Sequence, residues 1–286
     1  MNMKFLALMS MIFCLSTTAM ERIQRESNDH FYSIVLPGQD GSGGESFAPA
    51  SIITSHTSTI YRSLSGYFRT DLGQKKCIKH FQKQLNNDIH LQEHKPKLLL
   101  YGVDQGTATL VNWLTQKPID EQEKMVGCLL LEAVLGHQIR LFDDAAKKLW
   151  WTGFPQITAR AAYPRCNPYG LSLLASAGKL SPLIPIIIMH NKNDAKRSIN
   201  DARLLYCILR KNNNKHVYLF EFDHFYSNHS LLVNDSDAQR IKKTAALQEI
   251  YKRCGLPYKK VETEEAIDLQ EYQPSTEDLL KRIENH

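Results

Sequence analysis

Leu98-Leu99-Leu100-Tyr101-Gly102-Val103-Asp104-Gln105-Gly106-Thr107-Ala108-Thr109-Leu110-Val111-Asn112-Trp113-Leu114 is the stretch whose reading decides the fold. It begins as a short apolar run, as a buried strand would. A tight turn follows, with glycines on both sides of Asp104. The apolar positions then switch to helical spacing at Ala108, Val111 and Leu114. Glycine belongs where a turn is too sharp for side chains, and the residue at the centre of such a turn is strained. The Asp104 side chain is expected to stand clear of the sheet at the positive end of the helix.

The rest of the chain extends this pattern. Phe31 to Leu36 reads as a strand that runs into Pro37-Gly38-Gln39-Asp40-Gly41-Ser42-Gly43-Gly44. Residues 51–58 read as a weak strand or loop. Residues 71–85 have helical character, with Cys77, Ile78, Phe81 and Leu85 on one side, and residues 86–95 read as a polar connector. Residues 126–131 are continuously apolar, as a strand buried on both faces of a parallel sheet would be. Residues 184–189 are the clearest central strand, and Pro185 is tolerable because it sits at the start. A helix over residues 198–210 follows, with a Ser198 to Asp201 spacing that resembles a capping box. Residues 216–222 alternate and read as the last strand. Strands alternating with helices predict an α/β fold with a mostly parallel sheet and helices on both faces. Residues 137–183 interrupt the alternation with Trp150, Trp151, Phe154, Tyr163, Tyr169 and four prolines, and read as an insertion.

Composition bounds the function. Lys4 followed by an apolar run to Leu15, with Thr17-Thr18-Ala19 at the cleavage position, reads as an export signal over residues 1–19. The protein is then expected to be secreted or periplasmic. That run is too short to span a bilayer, and no later one reaches transmembrane length. Residues 20–258 form one domain of ordinary size for an α/β enzyme, long enough to bury a large core. Residues 259–286 form a tail, acidic at first and ending in a short helix capped near Ser275. The net charge of +5 is mild and contains no basic block, which argues against nucleic-acid binding. Of six cysteines, five lie beyond the signal. Their spacing fits neither a metal site nor a disulfide framework, although one or two bridges are possible in an oxidising compartment. No cofactor or metal motif is present, and the expected partner is a small molecule. Nothing in the sequence bears on oligomeric state.

The Gly102-Val103-Asp104-Gln105-Gly106 turn between strand and helix resembles the nucleophile elbow of the α/β-hydrolase superfamily. Most members carry serine at the centre; haloalkane dehalogenases and epoxide hydrolases carry aspartate. The resemblance implies an α/β-hydrolase fold over residues 20–258, with the 137–183 insertion as a lid. It places an oxyanion hole at the backbone N–H groups of Gln39, in the early glycine-rich loop, and Gln105. It places a triad acid in the loop after the penultimate strand, where His190-Asn191-Lys192-Asn193-Asp194 makes Asp194 the match. It places the histidine after the last strand, where His229 is preferred and His224 is the alternative. Asp104, Asp194 and His229 then stand in the superfamily's chain order.

The residue types restrict the chemistry. Asp194 would hold the histidine in one tautomer. A carboxylate attacking an ester would make an unstable anhydride. Attack on a carbon bearing halide or epoxide oxygen would instead make an ester that a histidine-activated water can hydrolyse. However, Gln105 follows Asp104 where those two enzyme groups commonly have tryptophan. The Gln-Gly-Thr-Ala context is closer to serine esterases and peptidases with the serine replaced. The preferred reading is a secreted hydrolase using Asp104, Asp194 and a histidine on a small molecule; the alternative is a catalytically inactive binding protein that has lost its serine.

Overall fold

The computed structural model describes residues 31–38, 58–61, 70–94, 96–137, 157, 161, 164–167, 169–194, 197–222, 237–258, 260, 269–275 and 278. A seven-stranded sheet forms its centre. The strands are β1 (Phe31–Leu36), β2 (Ser58–Ile60), β3 (Lys97–Val103), β4 (Val126–Glu132), β5 (Ile186–Asn191), β6 (Val217–Phe222) and β7 (Gln270–Glu271). Their order is β2-β1-β3-β4-β5-β6-β7. All neighbours are parallel except β6 and β7, which pair antiparallel through Phe220 with Glu271 and Glu221 with Gln270.

Parallel strands need crossover connections, and these bring helices to both faces. The helices are α1 (Lys75–Asn87), α2 (Ile89–His94), α3 (Gln105–Leu114), α4 (Ile119–Met125), α5 (Leu173–Ala177), α6 (Ile199–Lys211) and α7 (Asp237–Arg253). The period-2 alternation of strand side chains then divides the core in two. On one face Ile34, Leu98, Leu100, Leu129, Leu131, Ile186, Ile188 and Leu219 pack against α1, α3, α5 and α6. On the other, Val35, Leu99, Tyr101, Leu130, Ile187, Met189 and Phe220 pack against α7 through Ala246, Leu247, Ile250 and Tyr251. Both faces are covered, so β4 and β5 read as near-continuous apolar runs.

The elbow strand and its helix lie where the sequence predicts them. β3 sits between β1 and β4 at the middle of the parallel strands. Every residue of α3 is buried, because it is covered on several sides by α1, α5 and the sheet. Three elements differ from expectation. The 86–95 connector contains α2, whose Leu91 docks on the core while its other apolar residue, Ile89, is exposed, so no apolar periodicity marks it. β2 begins at Ser58, where expectation ended, because its register with β1 starts at Ser33. The tail after 258 supplies β7. Two exposed residues suffice there because the contacts that hold them lie elsewhere. Arg203 of α6 stacks over the Tyr272 ring at 5.1 Å, Tyr206 meets the same ring edge-on at 5.7 Å, and Tyr272 N–H donates to Leu219 O at 2.8 Å.

The proposed signal over residues 1–19 lies outside the described residues, as do Trp150, Trp151, Phe154 and Tyr163 of the insertion. Tyr169, from the same insertion, is described and strongly exposed. No helix among the described residues is long and apolar enough to cross a membrane. Cys77, Cys128, Cys166, Cys207 and Cys254 are buried and not bridged to one another.

Candidate functional site

The turn after β3 is drawn tight by its glycines. A Cβ on Gly106 would come within 2.1 Å of the Leu36 carbonyl oxygen, and one on Gly102 within 2.8 Å of the Thr107 nitrogen. α3 can therefore start directly against the end of β1 only if position 106 has no side chain. Between these glycines Asp104 adopts φ 52, ψ −116, a conformation rare for a residue with a Cβ. Such strain costs on the order of 1–3 kcal/mol and persists only where surroundings over-determine it. They do so here. Asp104 N–H donates to Glu132 O at 2.9 Å, and its carbonyl accepts from Thr107 N–H at 3.0 Å and from the Thr107 hydroxyl at 2.5 Å. Thr107 Oγ1 in turn accepts Leu135 N–H at 3.2 Å, which fastens the loop after β4 to the elbow.

Gln105, expected to lend its N–H to an oxyanion hole, opens α3, and its side chain is held from the front. It accepts the Thr70 hydroxyl at 2.6 Å and donates to Cys77 Sγ at 3.4 Å. Asp71 organises the same segment by accepting the backbone N–H groups of Gln74, Lys76 and Cys77 at the start of α1. Burial, then the Asp71 charge, pushes the Cys77 thiol up to about 11, so it stays protonated at neutral pH.

Asp104 itself is not clear of the sheet. Its carboxylate is buried, and its Oδ1 accepts Arg197 Nε at 2.5 Å. The two side chains are 3% and 7% exposed, so this is a desolvated ion pair at the positive end of α3. Gly38, at the end of β1, backs onto the same carboxylate; a Cβ there would meet Asp104 Cβ at 2.8 Å and Oδ2 at 3.0 Å. Arg197 is positioned by the loop after β5. Its N–H donates to Asp194 Oδ1 at 3.0 Å, and its carbonyl accepts from His190 Nε2 at 3.2 Å. The half-buried Asp194 thus stands beside the elbow and fixes the backbone of the residue that neutralises it.

Asp104, Gln105 and Asp194 are therefore brought to one end of the sheet. Gln39, His224 and His229 lie outside the described residues. Sequence reasoning missed Arg197. It is one arginine in a polar loop, 93 residues from its partner, and no local spacing marks it. It also missed Glu132, fully buried at the C-terminal end of β4, which accepts the Tyr101 hydroxyl at 2.7 Å. Burial, then the Glu132 charge, holds the Tyr101 hydroxyl well above its usual range. Glu132 continues an apolar strand in the sequence, and only the register of β3 against β4 sets it beside the elbow. Among the described residues no group of three or more His, Cys, Asp or Glu is placed to hold a metal ion.

No protein-family model matches the chain, and no curated protein matches it by sequence. Solved structures do share its architecture. An esterase from Pyrococcus furiosus superposes with a TM-score of 0.53 at 14% identity, over 79% of this chain and 83% of that one. A lipase-esterase related protein from Clostridium acetobutylicum gives 0.51 at 11% identity, over 78% of this chain and 93% of that one. The acylaminoacyl peptidase of Pyrococcus horikoshii gives 0.51 at 18% identity, over 88% of this chain but only 39% of that longer one. The chain has the α/β-hydrolase fold. Its elbow carries an aspartate held by a buried arginine.

Proposed function

We propose that this protein is an exported α/β-hydrolase-fold protein that binds a small molecule in the hydrolase cradle without cleaving it. The observation that carries this is the Asp104–Arg197 ion pair. A carboxylate nucleophile loses its charge when it is alkylated. Here that would leave the Arg197 guanidinium buried beside a neutral ester. Breaking a buried pair from one side costs about 3–5 kcal/mol, which is a factor of roughly 10² to 10⁴ in rate if it falls on the transition state. The pair also draws electron density from the attacking oxygen. Ester cleavage is disfavoured independently, since an aspartyl anhydride is no useful intermediate.

The second reading is a hydrolase using Asp104, Asp194 and His229 or His224. It is favoured by the strained turn and the tight glycine approach at position 106, which keep the elbow in working shape. The experiment that separates the two is turnover of short and long acyl esters, haloalkanes and epoxides by the mature protein. Asp104→Asn, Asp104→Ser and Asp104→Ser/Arg197→Gln run in parallel. The binding reading expects no turnover by wild type and ester cleavage only once serine is present and Arg197 neutralised. Wild-type turnover of a haloalkane or epoxide, lost in Asp104→Asn, establishes the hydrolase instead.

A further inference from the structure

We infer that Cys77 and Cys166 form a disulfide in the exported protein, stapling the insertion before α5 to the turn that holds the elbow. Two chain segments meet at this place. Gln74, at the start of α1, donates from Nε2 to Asn167 O at 2.6 Å, and Asn167 N–H donates back to Gln74 Oε1 at 3.1 Å. Gly170 presses on the same glutamine, since a Cβ there would meet Gln74 Nε2 at 2.8 Å. Cys77 lies one turn along α1 from Gln74, on the same side of the helix, and Cys166 directly precedes Asn167. Asp71 Oδ1 accepts the N–H groups of both Gln74 and Cys77. Cys166 lies within electrostatic reach of both Asp71 and Cys77.

Cys128 and Cys254 are a second neighbouring pair, but they sit between β4 and α7 in the core of the sheet's other face. Cys128 is fully buried within the sheet itself. The 77/166 pair lies instead where an insertion rests on the body. Burial raises both thiols, Cys77 to about 11 and Cys166 to about 12. Thiolate is therefore scarce at neutral pH and closure is slow. The bond suits a one-time event after export rather than a rapid switch.

The reaction is thiol–disulfide exchange with a low-molecular-weight disulfide. One thiolate attacks a sulfur of the reagent and expels its first thiol. The second cysteine's thiolate then attacks the mixed disulfide and expels the other. One reagent disulfide is reduced to two thiols, and the protein gains one S–S bond and loses two protons. Cys77 Sγ accepts from Gln105 Nε2 at 3.4 Å, so the bridge lies against the first helical residue of the elbow.

The test equilibrates the full mature chain with oxidised glutathione at mildly alkaline pH, then blocks remaining thiols and maps peptides by mass spectrometry. The expected result is a linked peptide pair containing Cys77 and Cys166, with Cys128, Cys207 and Cys254 blocked as thiols. Cys77→Ser and Cys166→Ser each abolish the link, whereas Cys128→Ser leaves it. The oxidised form should melt roughly 10 °C above the reduced one, as expected for closing so long a loop in a chain of this size. A glutathione adduct on either cysteine without the link, a link between other cysteines, or five blocked thiols after equilibration would each overturn the inference. None of these outcomes depends on whether the protein hydrolyses anything.

Discussion

The buried ion pair makes a quantitative prediction about stability. Asp104→Asn keeps the side-chain shape and suits the positive φ, because asparagine tolerates that region better than most residues. It leaves Arg197 buried without the Asp104 carboxylate, at a cost of about 3–5 kcal/mol. Arg197→Gln leaves the carboxylate in place at the start of α3. The helix dipole offsets part of that penalty, by about 1 kcal/mol in a buried setting, so this variant should be the milder of the two. Asp104→Asn/Arg197→Gln removes both charges and their desolvation together. Its cost should fall well below the sum of the singles, with a coupling on the order of 3 kcal/mol. Urea unfolding followed by circular dichroism and tryptophan fluorescence measures all four proteins, and coincident transitions justify the two-state treatment. Additivity within about 0.5 kcal/mol, or singles costing under about 1 kcal/mol each, would refute a desolvated pair and the argument built on it.

Other consequences follow from the same geometry. Gly106→Ala puts a Cβ against the Leu36 carbonyl, a backbone atom that cannot rotate away. It should cost about 3 kcal/mol or more and expose the protein to limited proteolysis. Gly38→Ala meets Asp104 Cβ at 2.8 Å, an atom its own backbone fixes, and should cost about 1–3 kcal/mol while pushing Asp104 off Arg197; thermal melts measure both variants. His216 titrates below its usual value because of burial first, then the nearby Lys215 and Arg210 charges. The unfolded chain therefore binds this proton more readily. The contribution is present above about pH 6.5 and is lost as pH falls below it. Denaturation midpoints at about pH 5.5 and 7.5 should differ less in His216→Gln than in wild type; equal differences would remove His216 from the account.

Where the information was local, the sequence was readable. The β3–elbow–α3 unit declares itself because an apolar run, two glycines and a change of period sit side by side. β4 and β5 are legible because burial on both faces demands continuous apolar residues, and β6 because its residues alternate. α2 was hidden because its Ile89 is exposed and only Leu91 reaches the core. β7 was hidden because its two residues are exposed, and Arg203, Tyr206 and Tyr272 hold it through contacts made far along the chain. Asp104 and Gln105 stand at the elbow and Asp194 in the loop after β5, where the order of strands and helices in the sequence puts them. The electrostatic state of the elbow was not legible. Arg197 meets Asp104 only once the sheet has set the end of β3 and the start of α6 together. An arginine in a polar loop gives no sign of which carboxylate it will neutralise.

The central claim is that Asp104 is a partner for Arg197 and not a nucleophile. The most direct test incubates the protein with haloalkanes and epoxides in water enriched in heavy oxygen, then measures isotope in the peptide that carries Asp104. A nucleophilic aspartate forms an ester that water attacks at the carboxyl carbon, so the label enters Asp104 itself. The account predicts no enrichment above a substrate-free control. Enrichment at Asp104 that accompanies product formation and vanishes in Asp104→Asn would contradict it and establish a working hydrolase.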